Sequence, residues 1–115
     1  MKPSADQPIE FKNARQQFKQ SDLENNSIVV EFSVQNFNNC EVELSLLKYS
    51  IHGSKEEIVD MVKVSCDSQS IPPSNSGNVP VTISFSELES GFHRVLLYFT
   101  SHFGVSLVTV DFVFE

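Results

Sequence analysis

Three histidines, two cysteines and a few closely spaced carboxylates are the residues of this 115-residue chain whose types could do chemistry. His52, His93 and His102 lie in or beside three different turns, and none has a second histidine at i+2 or i+4 to make a local metal pair. Cys40 and Cys66 form no C-x-x-C. They fit one inter-strand disulfide in an exported protein or, as the simpler reading, two small buried apolar side chains in a reducing compartment. Glu41 and Glu43 share one face of an alternating segment; that spacing suits a calcium edge site, and suits an ordinary solvated strand face better. Glu56 and Glu57 are merely adjacent, and Asp111 interrupts an apolar run where an outward position explains it. Asn25-Asn26-Ser27 matches a glycosylation sequon, which has meaning only on an exported chain. There is no Gly-rich phosphate loop. No nucleophile–base pair, acid–base pair or ligand set emerges, so the expectation is a chain with no catalytic residues, no metal and no cofactor.

Fifteen acidic against 8 basic residues give a formal net charge of −7. That balance opposes nucleic acid and anionic membranes as partners, whose recognition draws on clustered Lys and Arg. The nearest approach to a cluster is Lys12, Arg15 and Lys19, followed at once by Asp22 and Glu24. An acidic chain is compatible with a protein partner bearing a basic surface. No apolar run approaches the ~20 residues of a membrane span. Met1 to Pro8 lacks an apolar signal core, which points to the cytoplasm for a whole protein and leaves the extracellular space open for an excised domain.

The pattern that must position these residues is β throughout. Residues 1–26 are polar, with a short first strand at Ile9 and Phe11 and a second touch on the core at Phe18. From Ser27 to the end, a single β-sandwich domain is expected. Ile28, Val30, Phe32 and Val34 alternate with polar neighbours, the period of two that marks a half-buried strand. Cys40, Val42, Leu44 and Leu46 repeat it; Leu47, Tyr49 and Ile51 then form the apolar set, a one-residue slip that predicts a β-bulge or a change of sheet. A strand is expected over Ile58–Cys66, with a short helix at Lys55–Val62 as its rival. Residues 67–78 read as a loop or edge crossing because Pro72 and Pro73 lack strand donors. Val79 to Phe85, Val95 to Phe99 and Val105 to Phe114 supply the remaining strands, with Pro80 marking an edge. Ten Phe and no Trp supply a core without polar handles. The fold expected is all-β: an immunoglobulin-like two-layer antiparallel sandwich of about seven strands with Greek-key connections.

Leu88-Glu89-Ser90-Gly91-Phe92-His93-Arg94-Val95 is the most specific stretch. It resembles the E–F corner of immunoglobulin-like and fibronectin type III sandwiches, and in Gly91, His93 and Val95 it is similar to the G-x-H-x-V form of CARDB-like surface modules. Val34-Gln35-Asn36 resembles the V-x-N strand ending of that group. The resemblance implies a structural corner at Leu88, Gly91 and His93. Gly91 can take a positive φ without strain, and His93 would point inward with a ring N–H on a nearby carbonyl.

The function expected is a non-catalytic protein-binding module, adhesion-type or adaptor, acting through a sheet face or a loop cluster. Two alternatives stand beside it: a carbohydrate- or calcium-binding accessory domain, and a small acidic viral or phage inhibitor. The binding candidates are Leu47, Tyr49, Leu96 and Tyr98 as an apolar-aromatic outer face, with Val105 and Leu107 beside them, and Ile71 in the Pro-rich loop. Four such side chains offer more apolar area than Ile71 alone, which favours the face.

Overall fold

The computed structural model describes residues 9–53 and 62–115. Among the described residues nine strands form two sheets. In chain order they are β1 (Ile9–Phe11), β2 (Arg15–Lys19), β3 (Ser27–Asn36), β4 (Val42–Gly53), β5 (Val62–Ser65), β6 (Gln69–Ile71), β7 (Ser76–Phe85), β8 (Gly91–Ser101) and β9 (Gly104–Phe114). One sheet runs β1-β3-β7-β5 and the other β2-β9-β8-β4-β6. Seven of these strands reproduce the four-plus-three order of an immunoglobulin-like sandwich. The other two are short: β2 lies parallel to β9 and β6 pairs with the start of β4.

The alternation read in the sequence is what joins the layers. Val30, Phe32 and Val34 of β3 and Val79, Val81, Ile83 and Phe85 of β7 face Leu97, Phe99, Val110 and Phe112 of the opposite sheet, all buried. Edge-to-face ring pairs such as Phe85–Phe112 and Phe32–Phe99 lock the interior. β1 and β2 join the same core, since Phe11 packs on Phe99 and Phe18 on Phe112. Pro80 pairs with Glu31 two residues beyond the last β7 residue opposite β5, so its missing N–H leaves no ladder bond unmade.

Between β1 and β2 the chain changes sheets, and side chains take over the ladder there. Asn13 Nδ2 and Gln16 Nε2 donate to Glu31 O (3.1 and 3.0 Å), and the Ser33 N–H donates to Asn13 Oδ1 (2.7 Å). At the other end of β3, Asn36 is fully buried. Its Nδ2 donates to the carbonyls of Cys40, Ile71 and Pro72 (2.9–3.1 Å), and its Oδ1 accepts from the Asn38 N–H at 2.8 Å. One amide thus ties β3 to the turn before β4 and to the end of β6, across the two sheets.

Three expectations change. Residues 67–78 are not one loop, because they contain β6 and the start of β7. Ile71 is 1% exposed, opposite Val42, and packs closely on Gly77, where a Cβ would stand 3.0 Å from its Cδ1. Ile71 is therefore a core residue. Cys40 is exposed and Cys66 only partly covered; both are free thiols, not a buried pair. The rival helix falls mostly outside the described residues, and Val62, its last residue, opens β5.

Candidate binding face

The corner is built as the sequence implied. Gly91 has φ +126°, Leu88 packs against the core, and His93, 1% exposed, donates from Nε2 to Glu89 O at 2.7 Å. Its ring lies against Phe114. From this corner β8 runs on, paired with β4 and β9 in a register that presents alternate residues outward.

That register defines the outer face of the five-stranded sheet row by row. Residues opposite one another on neighbouring strands point to the same side. Leu107, Tyr98 and Lys48 make one row across β9, β8 and β4. Arg15, Thr109, Leu96 and Ser50 make the next; Gln17, Asp111, Arg94 and His52 the third; Lys19, Val113 and Phe92 the fourth. Val105 lies beyond Leu107 at the other end. Phe92, Val105, Leu107 and Val113 are exposed, and Leu96 and Tyr98 are half-buried.

The centre of this face is charged. Arg94 grips Asp111 with two hydrogen bonds, Nε to Oδ1 at 2.8 Å and Nη2 to Oδ2 at 3.2 Å, and Arg15 Nη2 approaches Oδ2 at 3.5 Å. Asp111 points outward yet its side chain is only 5% exposed, because the two arginines lie over it. The hydrogen bond to Asp111 holds the Arg94 guanidinium further up its range, so it stays a cation under all ordinary conditions. Arg94 also lies 5.3 Å above the Phe92 ring, and Lys48 Nζ 4.9 Å above Tyr98.

The binding candidates from the sequence do not all meet here. Leu96 and Tyr98 lie on the face. Leu47 is the extra residue of the bulge between Leu46 and Lys48, and is exposed. Tyr49 pairs with Leu97, a core residue, so it belongs to the inward row; its hydroxyl donates to Val62 O at 3.4 Å at the sheet margin. The two tyrosines therefore do not share a face. The cations were missed as a group, because Arg15, Lys19, Lys48 and Arg94 come from three strands and only the fold collects them.

Beside the face, β9 offers an unpaired edge. The Thr109 N–H donates to Ala14 O at 2.8 Å. Strand alternation then aims the N–H groups of Leu107 and Val105 to the same side, past the end of β2. No described strand pairs with β9 there. A groove of about 430 Å³ runs along it, lined by Ile9, Phe11, Phe103 and Leu107 among others. Among the described residues no group of three or more His, Cys, Asp or Glu could hold a metal ion. No helix among them is long and apolar enough to cross a membrane.

No protein-family model and no curated protein matches the sequence. Solved structures do match in fold. The ASH / PapD-like domain 7 of human CEP192 is 13% identical with a TM-score of 0.66, covering 100% of this chain and 90% of that one. The FixG-related protein of Vibrio parahaemolyticus is 14% identical with a TM-score of 0.54, covering 77% of this chain and 79% of that one. The periplasmic chaperone SfaE is 10% identical at a TM-score of 0.54; 93% of this chain matches 57% of that one. The likeness shows the fold: the chain is an all-β, immunoglobulin-like sandwich, a fold it shares with PapD-like domains, and nothing in it singles out the fibronectin type III or CARDB-like form.

Proposed function

We propose that this chain is a non-catalytic protein-binding module whose docking surface is the outer face of the five-stranded sheet. One observation carries the reading: of the nine large apolar side chains exposed among the described residues, four stand on this face, more than on any other sheet face. Phe92, Val105, Leu107 and Val113 stand out on it, with Leu96 and Tyr98 half-buried among them, whereas the four-stranded sheet exposes one large apolar residue on its outer side, Val29. Two apolar groups, Phe92 with Val113 and Leu96, Tyr98, Leu107 with Val105, flank the polar row of Gln17, Asp111, Arg94 and His52, and exposed apolar area of this kind is costly to leave in water. The PapD-like neighbours, which include periplasmic chaperones, are consistent with a binding rather than a catalytic role.

The test uses peptides selected on the intact chain from a displayed library. Tyr98→Ser with Leu107→Ser should weaken their binding at least about tenfold, as loss of a central anchor does, and Val29→Ser should leave it unchanged. Equal losses from both variants, or none from either, would remove the face from consideration.

The unpaired stretch of β9 favours a second reading, addition of a partner strand at Leu107 and Val105. Leu107→Pro removes an outward N–H without touching the bonds to β8, while Leu107→Ser keeps it. A much larger loss from proline than from serine supports strand addition; equal losses support docking on the face alone.

A further inference from the structure

Resting on that docking reading, we infer that the partner segment is an acidic peptide carrying apolar side chains, although the chain that binds it is itself acidic. The charge map makes the argument. Of the chain's 8 basic residues, Lys2 and Lys55 lie outside the described residues, leaving six; four of these, Arg15, Lys19, Lys48 and Arg94, are on this one face. Its carboxylates are Asp111, already held by Arg94, and Glu43 at the far corner beside β6; at the Lys19 end stand Glu115, beyond β9, and Asp22, whose Oδ2 accepts the Lys19 N–H at 2.8 Å, so the uncompensated cations are Arg15 and Lys48. A net charge of −7 therefore surrounds a local positive island, and the island coincides with the exposed apolar patch.

The cations are not equally committed. Arg94 satisfies both oxygens of Asp111. Arg15 makes only a 3.5 Å approach to Oδ2, and its side chain is 67% exposed. It can turn to an incoming carboxylate and leave Asp111 still paired, so the cost of uncovering a buried charge does not arise. Lys48 sits over the Tyr98 ring with its ammonium in water, a cation beside an apolar contact. Arg15 and Lys48 flank the Leu96–Tyr98–Leu107 patch from the two sides of the sheet. From Val105 to Val113 the face runs eight residue steps, about 27 Å at a strand's rise. That length fits an extended segment of about eight residues, with apolar side chains on the patch and carboxylates at Arg15 and Lys48.

The experiment selects peptides from a displayed library of balanced charge on the full chain, then maps the tightest binders by amide chemical-shift changes and titrates them at two salt concentrations. The expected result is enrichment of Asp and Glu beside aromatic or aliphatic residues, with shifts centred on residues 94–98 and 105–111. Binding should weaken roughly tenfold in the Arg15→Gln, Lys48→Gln double variant and fall with added salt. Both positions are exposed, and an unchanged circular dichroism spectrum and melting temperature would establish that the variant is folded. Peptides that map to this face without acidic enrichment, or whose affinity ignores the double variant, overturn the charge assignment and leave the docking surface standing. Shifts centred on the four-stranded sheet or the corner overturn both. Tight binding that requires phosphorylated peptides, or an equally tight RNA oligomer of the same charge, also overturns the assignment.

Discussion

The two sheets of this sandwich share a core and differ in what they show to water. On its outer side the four-stranded sheet presents Glu10, Glu31, Ser33, Gln35, Asn78 and Thr82, with Val29 as its one large exposed apolar residue. Its most heavily bonded polar side chain, Asn36, is turned inward and spent on architecture. The five-stranded sheet does the reverse. Its charged cluster sits in the middle of an exposed apolar-aromatic field, where a single ion pair on an ordinary surface would add little stability. One sheet shows water a polar surface with a single large apolar side chain, and the other shows four with a charged row between them.

The comparison can be broken at its structural end first. Asn36→Ala should be the most damaging change, at about 2–4 kcal/mol, since it strands three carbonyls and an amide N–H where the sheets meet. Chemical denaturation measures it, and a loss below about 1 kcal/mol would mean that water replaces the amide. Asp111→Asn comes next, at about 2 kcal/mol, because it weakens the grip on Arg94 in the covered centre of the five-stranded sheet's outer face. The matching change on the other sheet, Glu31→Gln, should stay within about 0.5 kcal/mol. If Asp111→Asn is equally silent, the cluster carries no structural weight.

Much of the frame was legible along the chain. The alternation at Ile28–Val34 and Val79–Phe85 gave the strands, and the apolar slip after Leu46 marked the bulge that the structure has between Leu46 and Lys48. Gly91 and His93 read directly as a corner because turn chemistry is local. Three features depend on contacts far apart in sequence. Ile71 looked stranded beside two prolines, but Val42 and Gly77 receive it. Tyr49 looked like a partner of Tyr98, but after a bulge the new apolar set, Tyr49 with the buried Ile51, is the core-facing one. The basic island was invisible because net charge averages over both faces, and its members are up to 79 positions apart (Arg15 to Arg94). An excess of acid is compatible with a basic partner, whereas the local charge on the face is the ground for proposing an acidic one.

The smallest effect expected separates the two cysteines. Partial burial, reinforced by the neighbouring Asp67, pushes the Cys66 thiol up, so less of it is thiolate at a given pH. Exposed Cys40 should react several-fold faster with an alkylating reagent at pH 8, followed by mass spectrometry. The gap should narrow as the pH rises through the Cys66 range. Equal rates at pH 8 would show that the end of β5 opens readily to solvent.

The central claim is that contact is made by one outer face and not the other, and a photo-crosslinking side chain tests it in place. Installed at position 107 on the five-stranded sheet, and separately at position 29 on the four-stranded sheet, it should report neighbours in cells that contain the natural partner. Both sites are more than half exposed, so reactivity alone does not favour either. The account predicts discrete adducts from position 107, lost when Tyr98 is changed to Ser, and only diffuse background from position 29. Discrete adducts from position 29, with none from position 107, would contradict it.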